Sequence, residues 1–137
     1  MDDDNALVTA IVEAFPMGVP PQERVAPHAC DECHEVTRLI QGRTWMDVGQ
    51  DFPSYCHDVY PLLSDAAKRY YLPAWMLAAI RDRDSFAGDS LIYSLSDGAV
   101  DPAHFTPQQR SAVLRWVATR ADADDDRRTE RIRETWR

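Results

Sequence analysis

The stretch AWMLAAI, residues 74–80, decides the fold because it would be apolar on every side of a helix. A helix without a polar face is usually buried in a globular protein, so this stretch predicts the central core helix. Ser64 marks the start of the helical segment that leads into it. Pro73 disfavours a helical conformation at Leu72, which predicts a bend or interruption there. We therefore expect a fold built around residues 64–82.

Helical spacing of apolar residues recurs on both sides of this core segment, for example over residues 5–15 and 29–41. No stretch shows the alternation that is typical of a half-buried β-strand. These patterns predict an all-α protein, a single compact domain of about five or six helices around a buried central helix. We expect residues 1–119 to form the helical domain and residues 120–137 to form a charged C-terminal helix or tail.

The C-terminal third contains the clearest helix start in the chain. Thr106 stands where a helix cap is expected, and Gln109 follows at the capping-box position. Residues 120–137 contain six acidic residues and six arginines, with Ile132 and Trp136 as the apparent apolar anchor. This segment is predicted to be either a helix held by those two side chains or a frayed end.

Two charge patterns within residues 120–137 bear on the structure of this segment and on calcium binding. Asp124 and Arg128, four residues apart, would support a solvated helix by a few tenths of a kcal/mol. The acidic run from Asp122 to Asp126 lacks the glycine and the final glutamate of a calcium-binding loop. It therefore indicates a solvated face.

The net charge of −8 is concentrated in one half of the chain. The first 60 residues contain eleven acidic residues against three arginines, whereas the remainder is balanced. Nucleic-acid binding relies on Lys and Arg that neutralise phosphates, so this distribution argues against it. It favours a protein partner with a basic surface, which an acidic surface attracts over long range.

No apolar run is long enough to cross a membrane. The N-terminal stretch is acidic where a secretory signal would be basic, so we expect a cytoplasmic protein. Thiols in the cytoplasm are kept reduced, and the chain has an odd number of cysteines, three. A structural disulfide is therefore not expected.

Cysteine and histidine crowd into the segment HACDECH and the pair that follows it at positions 56 and 57. Residues three and four apart share a helix face, and zinc takes four thiolate or imidazole ligands. A zinc site would draw on this set of residues: Cys30, Cys33, His34, Cys56 and His57. Adjacent residues rarely bind one ion together, so the second pair is a weak part of the motif. The alternative is that the cysteines are packing residues.

Two other chemistries use a C-x-x-C motif. With a following histidine it is the attachment motif of c-type haem, which requires export that the acidic N-terminus argues against. As a redox pair it needs a thiol with a lowered pKa. The acidic neighbours Asp31, Glu32 and Glu35 are expected to raise the thiol pKa instead, which argues against redox catalysis.

Several segments together resemble a family of small uncharacterised bacterial helical proteins, a domain of unknown function. They are C-D-E-C-H-E-V at 30–36, Y-Y-L-P-A-W-M at 70–76 and F-T-P-Q-Q at 105–109, within residues 7–118. The resemblance implies a compact helical fold and no established activity. The charged residues after Thr119 lie outside the shared pattern.

No catalytic signature is present, and we therefore expect a protein that is not an enzyme and needs no cofactor. The favoured hypothesis is an intracellular binding protein, most concretely an acidic inhibitor or immunity protein that blocks a basic toxin or effector. Its contact residues would come from one acidic set: Asp31, Glu32, Glu35, Asp47, Asp51 and Asp58. The alternatives are a small zinc-binding protein that uses the cysteine and histidine residues, and a thiol-dependent enzyme.

Overall fold

The computed structural model of the protein describes residues 2–120 and 126–137. Within them the chain forms seven α-helices and three short 3₁₀-helices and no β-strand, which confirms the all-α prediction. The predicted number of helices, five or six, is too low. The α-helices are α1 (Asp2–Ala14), α2 (Asp31–Ile40), α3 (Trp45–Gln50), α4 (Asp65–Arg81), α5 (Ala87–Ser96), α6 (Pro107–Ala118) and α7 (Asp126–Trp136). The 3₁₀-helices are Ser54–Cys56, Tyr60–Leu62 and Pro102–His104.

Internal contacts group the chain into two compact units. The first unit contains Met1–Pro16 and Ile92–Arg137, and the second contains Met17–Leu91. The predicted division into 1–119 and 120–137 stays a prediction. The predicted pairing of Asp124 with Arg128 and the acidic run before Asp126 depend on residues outside the described ranges.

The second unit is built on α4, in which residues 71–79 are all buried. The helix runs without a break from Asp65 to Arg81, so Pro73 does not interrupt it as predicted, and a bend at Leu72 stays a prediction. Pro73 removes one backbone donor and costs the helix about 3 kcal/mol. Burial stabilises by about 1.5–3 kcal/mol for each large apolar side chain, and several such side chains flank Pro73, so burial outweighs the proline.

Two tyrosine hydroxyls connect α4 to the chain around α2 and α3. The single hydrogen of the Tyr71 hydroxyl is shared between two carbonyl oxygens, that of Arg43 at 2.7 Å and that of Ile40 at 3.0 Å. The Tyr70 hydroxyl accepts from the Trp45 amide (3.2 Å) and donates to the Met17 carbonyl (3.0 Å). These bonds satisfy backbone groups at the end of α2 and the start of α3, where helix termini lack internal partners.

Helix α3 approaches α4 closely at Gly49. A Cβ atom at this position would lie 3.0 Å from Leu77 Cδ1 and 3.5 Å from Ala74 Cα. The absence of a side chain therefore allows the two helices to pack at this distance.

We predict that Tyr71→Phe lowers the free energy of unfolding by about 1–2 kcal/mol, because the Arg43 carbonyl loses its hydroxyl donor in a part-buried site. Chemical denaturation measures the change. The matched control is Tyr93→Phe, whose ring is 47% exposed and which should change stability by less than about 0.5 kcal/mol. Equal effects of the two substitutions would contradict the role of the Tyr71 hydroxyl.

In the first unit, α6 packs against both α1 and α7. The predicted capping box at the start of α6 is confirmed, since Thr106 Oγ1 accepts from the Gln109 amide (3.1 Å) and Gln109 Oε1 accepts from the Thr106 amide (2.9 Å). Ile132 and Trp136 of α7 are fully buried, and the Trp136 ring lies 5.1 Å from the Phe105 ring. The C-terminal segment is thus a helix held by apolar contacts in its described part.

Two arginines of α7 also contact the C-terminal end of α5. Arg128 donates to Ser96 Oγ (3.2 Å) and Arg131 to the Ser96 carbonyl oxygen (3.4 Å). Cations stabilise a helix C-terminus because its carbonyl groups carry partial negative charge.

None of the described helices combines the length and apolar character needed to cross a bilayer.

We predict that Trp136→Ala lowers the free energy of unfolding by about 3–5 kcal/mol, since it removes a fully buried aromatic side chain. Thermal or chemical denaturation measures the loss. Glu134→Ala, at an exposed position of the same helix, is the control and should cost less than about 0.5 kcal/mol. A Trp136→Ala protein as stable as the control would show that α7 is not packed as described.

Candidate functional site

Cys30 occupies the N-cap of α2, immediately before the first helical residue. Its backbone is extended (φ −124°, ψ 161°), and its Sγ accepts a hydrogen bond from the Cys33 amide at 3.4 Å. Serine, threonine or aspartate usually takes this position, because a side-chain acceptor satisfies a free amide of the first turn. The Cys30 side chain is exposed, so its sulfur is both hydrogen-bonded and accessible to solvent.

The pKa of the Cys30 thiol is lowered below its ordinary value. The largest cause is the hydrogen bond from the Cys33 amide. Burial and the charge of Glu32 act in the opposite direction but are outweighed. The expected upward effect of an acidic neighbour is present for Glu32, but the net shift at Cys30 is downward because an amide donor at the helix start contacts the sulfur directly.

Cys33 differs from Cys30 in both environment and acidity. It is fully buried in the second unit, and this burial raises the pKa of its thiol. Interaction with Cys30 raises the Cys33 pKa further, whereas the positive charge of Arg24 lowers it. The motif thus combines an accessible, more acidic thiol with a buried, less acidic one.

The loop before α2 is held by the end of the same helix. The Gln41 side chain accepts from the Val25 amide (2.9 Å) and donates to the carbonyl oxygens of Pro21 (3.1 Å) and Glu23 (2.9 Å). The Val25 carbonyl in turn accepts from the Ser64 amide (2.8 Å), next to the start of α4. These bonds fix the path of the chain that leads to Cys30.

His34, one of the predicted zinc ligands, is instead partnered by an arginine. Arg24 Nη2 lies 2.6 Å from His34 Nδ1, and Arg24 Nε lies 3.4 Å from Thr37 Oγ1. A guanidinium can only donate, so His34 Nδ1 accepts and is not free to bind a metal ion in this arrangement.

The second predicted pair, Cys56 and His57, lies in surroundings different from those of the first. Cys56 is fully buried, and burial raises its pKa to about 12. The His57 ring stacks on Phe52 at 5.1 Å between ring centroids. Among residues 2–120 and 126–137, no three Cys, His, Asp or Glu side chains are grouped to hold a metal ion. The structure brings Cys30 and Cys33 together and provides no support for the zinc site.

The six acidic residues that were predicted to contact a partner all lie in the second unit. Two of them, Glu35 and Asp47, form ion pairs with arginines. Asp47 accepts from Arg43 Nε (2.8 Å), and Arg43 Nη2 also reaches the Asp51 carbonyl oxygen (3.3 Å). Glu35 is paired with Arg38, whose hydrogen bond lowers the pKa of this carboxyl group.

Glu32 and Glu35 lie near an aromatic side chain that the sequence did not single out. Tyr55 is 45% exposed. Its pKa is raised by partial burial first and then by the charges of Glu32 and Glu35, which are therefore close to the ring. Glu35 and Asp58 also raise the pKa of neighbouring Cys56. We call Glu32, Glu35, Tyr55 and Asp58, with Asp31 beside Glu32, the acidic face.

The first unit contains a groove of about 260 Å³ between α1 and α6. Its lining residues are Ala10, Glu13, Gln108, Ser111, Ala112 and Arg115. The groove holds one acidic and one basic side chain and no thiol or histidine.

Comparison of the chain with known protein families, with curated proteins and with solved structures found no match. The resemblance to a family of small bacterial helical proteins therefore stays a prediction. In the structure, its C-x-E-C segment lies at the start of α2, and its YYLP segment lies within buried α4.

We predict that iodoacetamide at neutral pH labels Cys30 at least about tenfold faster than Cys33 or Cys56, because Cys30 is exposed and more acidic. Peptide mapping by mass spectrometry identifies the labelled residue over time. Cys30→Ser should remove the fast phase. Labelling of Cys33 or Cys56 at the same rate would contradict the assignment.

Proposed function

We propose that this protein is a non-enzymatic binding protein whose acidic face docks onto a basic protein surface. The finer form of the proposal is an inhibitor or immunity protein that blocks a basic toxin or effector. The observation that supports it best is the exposed ring of Tyr55 among carboxylates of the acidic face. Zinc binding and a thiol-dependent enzyme stay predictions beside it.

The acidic face offers charges that are available to a partner. Asp31, Glu32 and Asp58 are exposed, and none of them is in a described ion pair within the second unit. A free carboxylate gains more from an incoming Lys or Arg than a paired one, because no internal partner has to be displaced. Glu35 and Asp47, which are paired internally, are expected to contribute less.

Tyr55 adds an aromatic anchor to this charged surface. Tyrosine is enriched at the energetic centres of protein interfaces, and its ring can also lie against an arginine guanidinium. A basic side chain docked here would meet the ring and the adjacent carboxylates together. This arrangement suits arginine-rich surfaces better than purely apolar ones.

We predict that replacing three free carboxylates of the acidic face (Asp31→Asn, Glu32→Gln and Asp58→Asn) weakens binding of a basic partner about tenfold or more at low salt. The control changes the same number of exposed carboxylates elsewhere: Glu23→Gln, Asp84→Asn and Asp97→Asn. Both variants change net charge equally, so a difference between them reports position. The first probe is an arginine-rich peptide, whose binding is measured by calorimetric titration. The second is a basic protein obtained by affinity capture, measured in the same way.

The proposal expects wild type and control to bind alike, with affinity that falls steeply as salt rises. Tyr55→Ala should weaken binding further than charge loss alone explains. Equal binding by the two triple variants would contradict the assignment of the acidic face. If the affinity for the captured protein does not change with salt concentration, binding is not electrostatic and the proposal is contradicted.

A further inference from the structure

We propose that Cys30 and Cys33 form a thiol–disulfide exchange site that reduces a disulfide of another molecule, with a preference for disulfides flanked by positive charge. This inference goes beyond the proposed binding function and does not depend on it. It rests on the placement of two thiols at the start of α2, one accessible and one buried.

The geometry gives Cys30 the role of the attacking thiol. Its sulfur is exposed, and the Cys33 amide donates to it at 3.4 Å from the first turn of a ten-residue helix. Amide donors at a helix N-terminus favour the thiolate over the thiol, and the thiolate is the nucleophile in exchange. A disulfide can approach from solvent, since Cys30 precedes the helix and faces outward.

Cys33 is placed to complete the reaction. It is fully buried, and its backbone amide lies 3.4 Å from Cys30 Sγ, three residues before it in the chain. A dissolved disulfide therefore cannot reach Cys33 directly, whereas the Cys30 sulfur lies beside it. Cys56 is not part of the pair, since it belongs to the 3₁₀-helix Ser54–Cys56 and is itself buried.

The reaction balances in two exchange steps. In the first, the Cys30 thiolate forms a bond to one sulfur of the substrate disulfide, the substrate S–S bond breaks, and the departing thiolate takes a proton from water. In the second, Cys33 loses its proton and attacks Cys30 Sγ, and the bond between Cys30 and the substrate breaks. The second substrate thiolate takes up a proton. The two cysteines are oxidised to a disulfide, and the substrate disulfide is reduced to two thiols.

The acidic face supplies the preference for positive charge. Asp31 and Glu32 follow Cys30 directly in the chain, and the charge of Glu32 acts on the Cys30 thiol. Glu32 and Glu35 both raise the pKa of Tyr55. These carboxylates attract a cationic disulfide and repel an anionic one. The effect is electrostatic and should fade with added salt.

The test uses full-length reduced protein, treated with chelator, and three small disulfides of different charge. Cystamine is cationic, hydroxyethyl disulfide is uncharged and oxidised glutathione is anionic. Mass spectrometry of the intact protein follows the mixed disulfide and its loss. We expect wild type to lose two hydrogen atoms in forming a Cys30–Cys33 disulfide, while Cys56 remains a free thiol. The rate with cystamine should exceed that with oxidised glutathione about tenfold at low salt, and less at high salt.

Variants separate the two thiol roles. Cys33→Ser should accumulate a mixed disulfide that persists at least about tenfold longer than in wild type, and Cys30→Ser should form none. Cys56→Ala is the matched control and should react like wild type. Circular dichroism establishes that each variant is folded. A persistent mixed disulfide in wild type, reaction at Cys56, or oxidised glutathione reacting as fast as cystamine would overturn the proposal.

Failure of this site and failure of the binding function are distinguishable. Cys30→Ser removes exchange but leaves every carboxylate of the acidic face in place, so it should still bind an arginine-rich peptide. The triple carboxylate variant should still form the Cys30–Cys33 disulfide with uncharged hydroxyethyl disulfide, because both thiols are intact. Loss of that reaction in the folded triple variant would contradict the assignment to the two cysteines.

Discussion

Every residue in the middle of α4 is buried, and the rest of the second unit packs around this segment. Tyr71 and Tyr70 take up backbone groups near the end of α2 and the start of α3, and Gly49 lets α3 approach closely. A helix that is apolar on all sides must be surrounded by other segments, because leaving one large apolar side chain exposed would forfeit about 1.5–3 kcal/mol of folding free energy. This requirement explains why α4 stays intact through Pro73.

The candidate site depends on the same arrangement, because α2 connects the two. Its last residue, Ile40, is hydrogen-bonded to Tyr71, and Cys30 caps its N-terminus. Two electrostatic influences meet there. The amides of the first turn favour a thiolate at Cys30, and the nearby Glu32 disfavours it. The amide prevails because it touches the sulfur, whereas the carboxylate acts through solvent at an exposed surface. The same carboxylates remain available to attract a basic partner.

Much of the fold could be predicted from the sequence, because its signals are local. An apolar stretch at residues 74–80 indicated a buried helix, and Thr106 with Gln109 indicated a capping box. The continuity of α4 at Pro73 could not be predicted, since it depends on burial by distant segments. For the site, the cysteines were recognised, but their spatial relation to Cys56 and the direction of the Cys30 pKa were not. Both depend on which backbone amides and side chains surround each sulfur.

The most direct test of this account is a pH titration of thiolate absorbance in the ultraviolet, compared between wild type and Cys30→Ser. The account predicts that the first thiol to ionise does so below the ordinary cysteine pKa, and that this step is missing in Cys30→Ser. The remaining thiols should ionise above that ordinary value, Cys56 near pH 12. If all three thiols ionise at or above the ordinary value, the N-terminus of α2 does not activate Cys30 and the central claim is wrong.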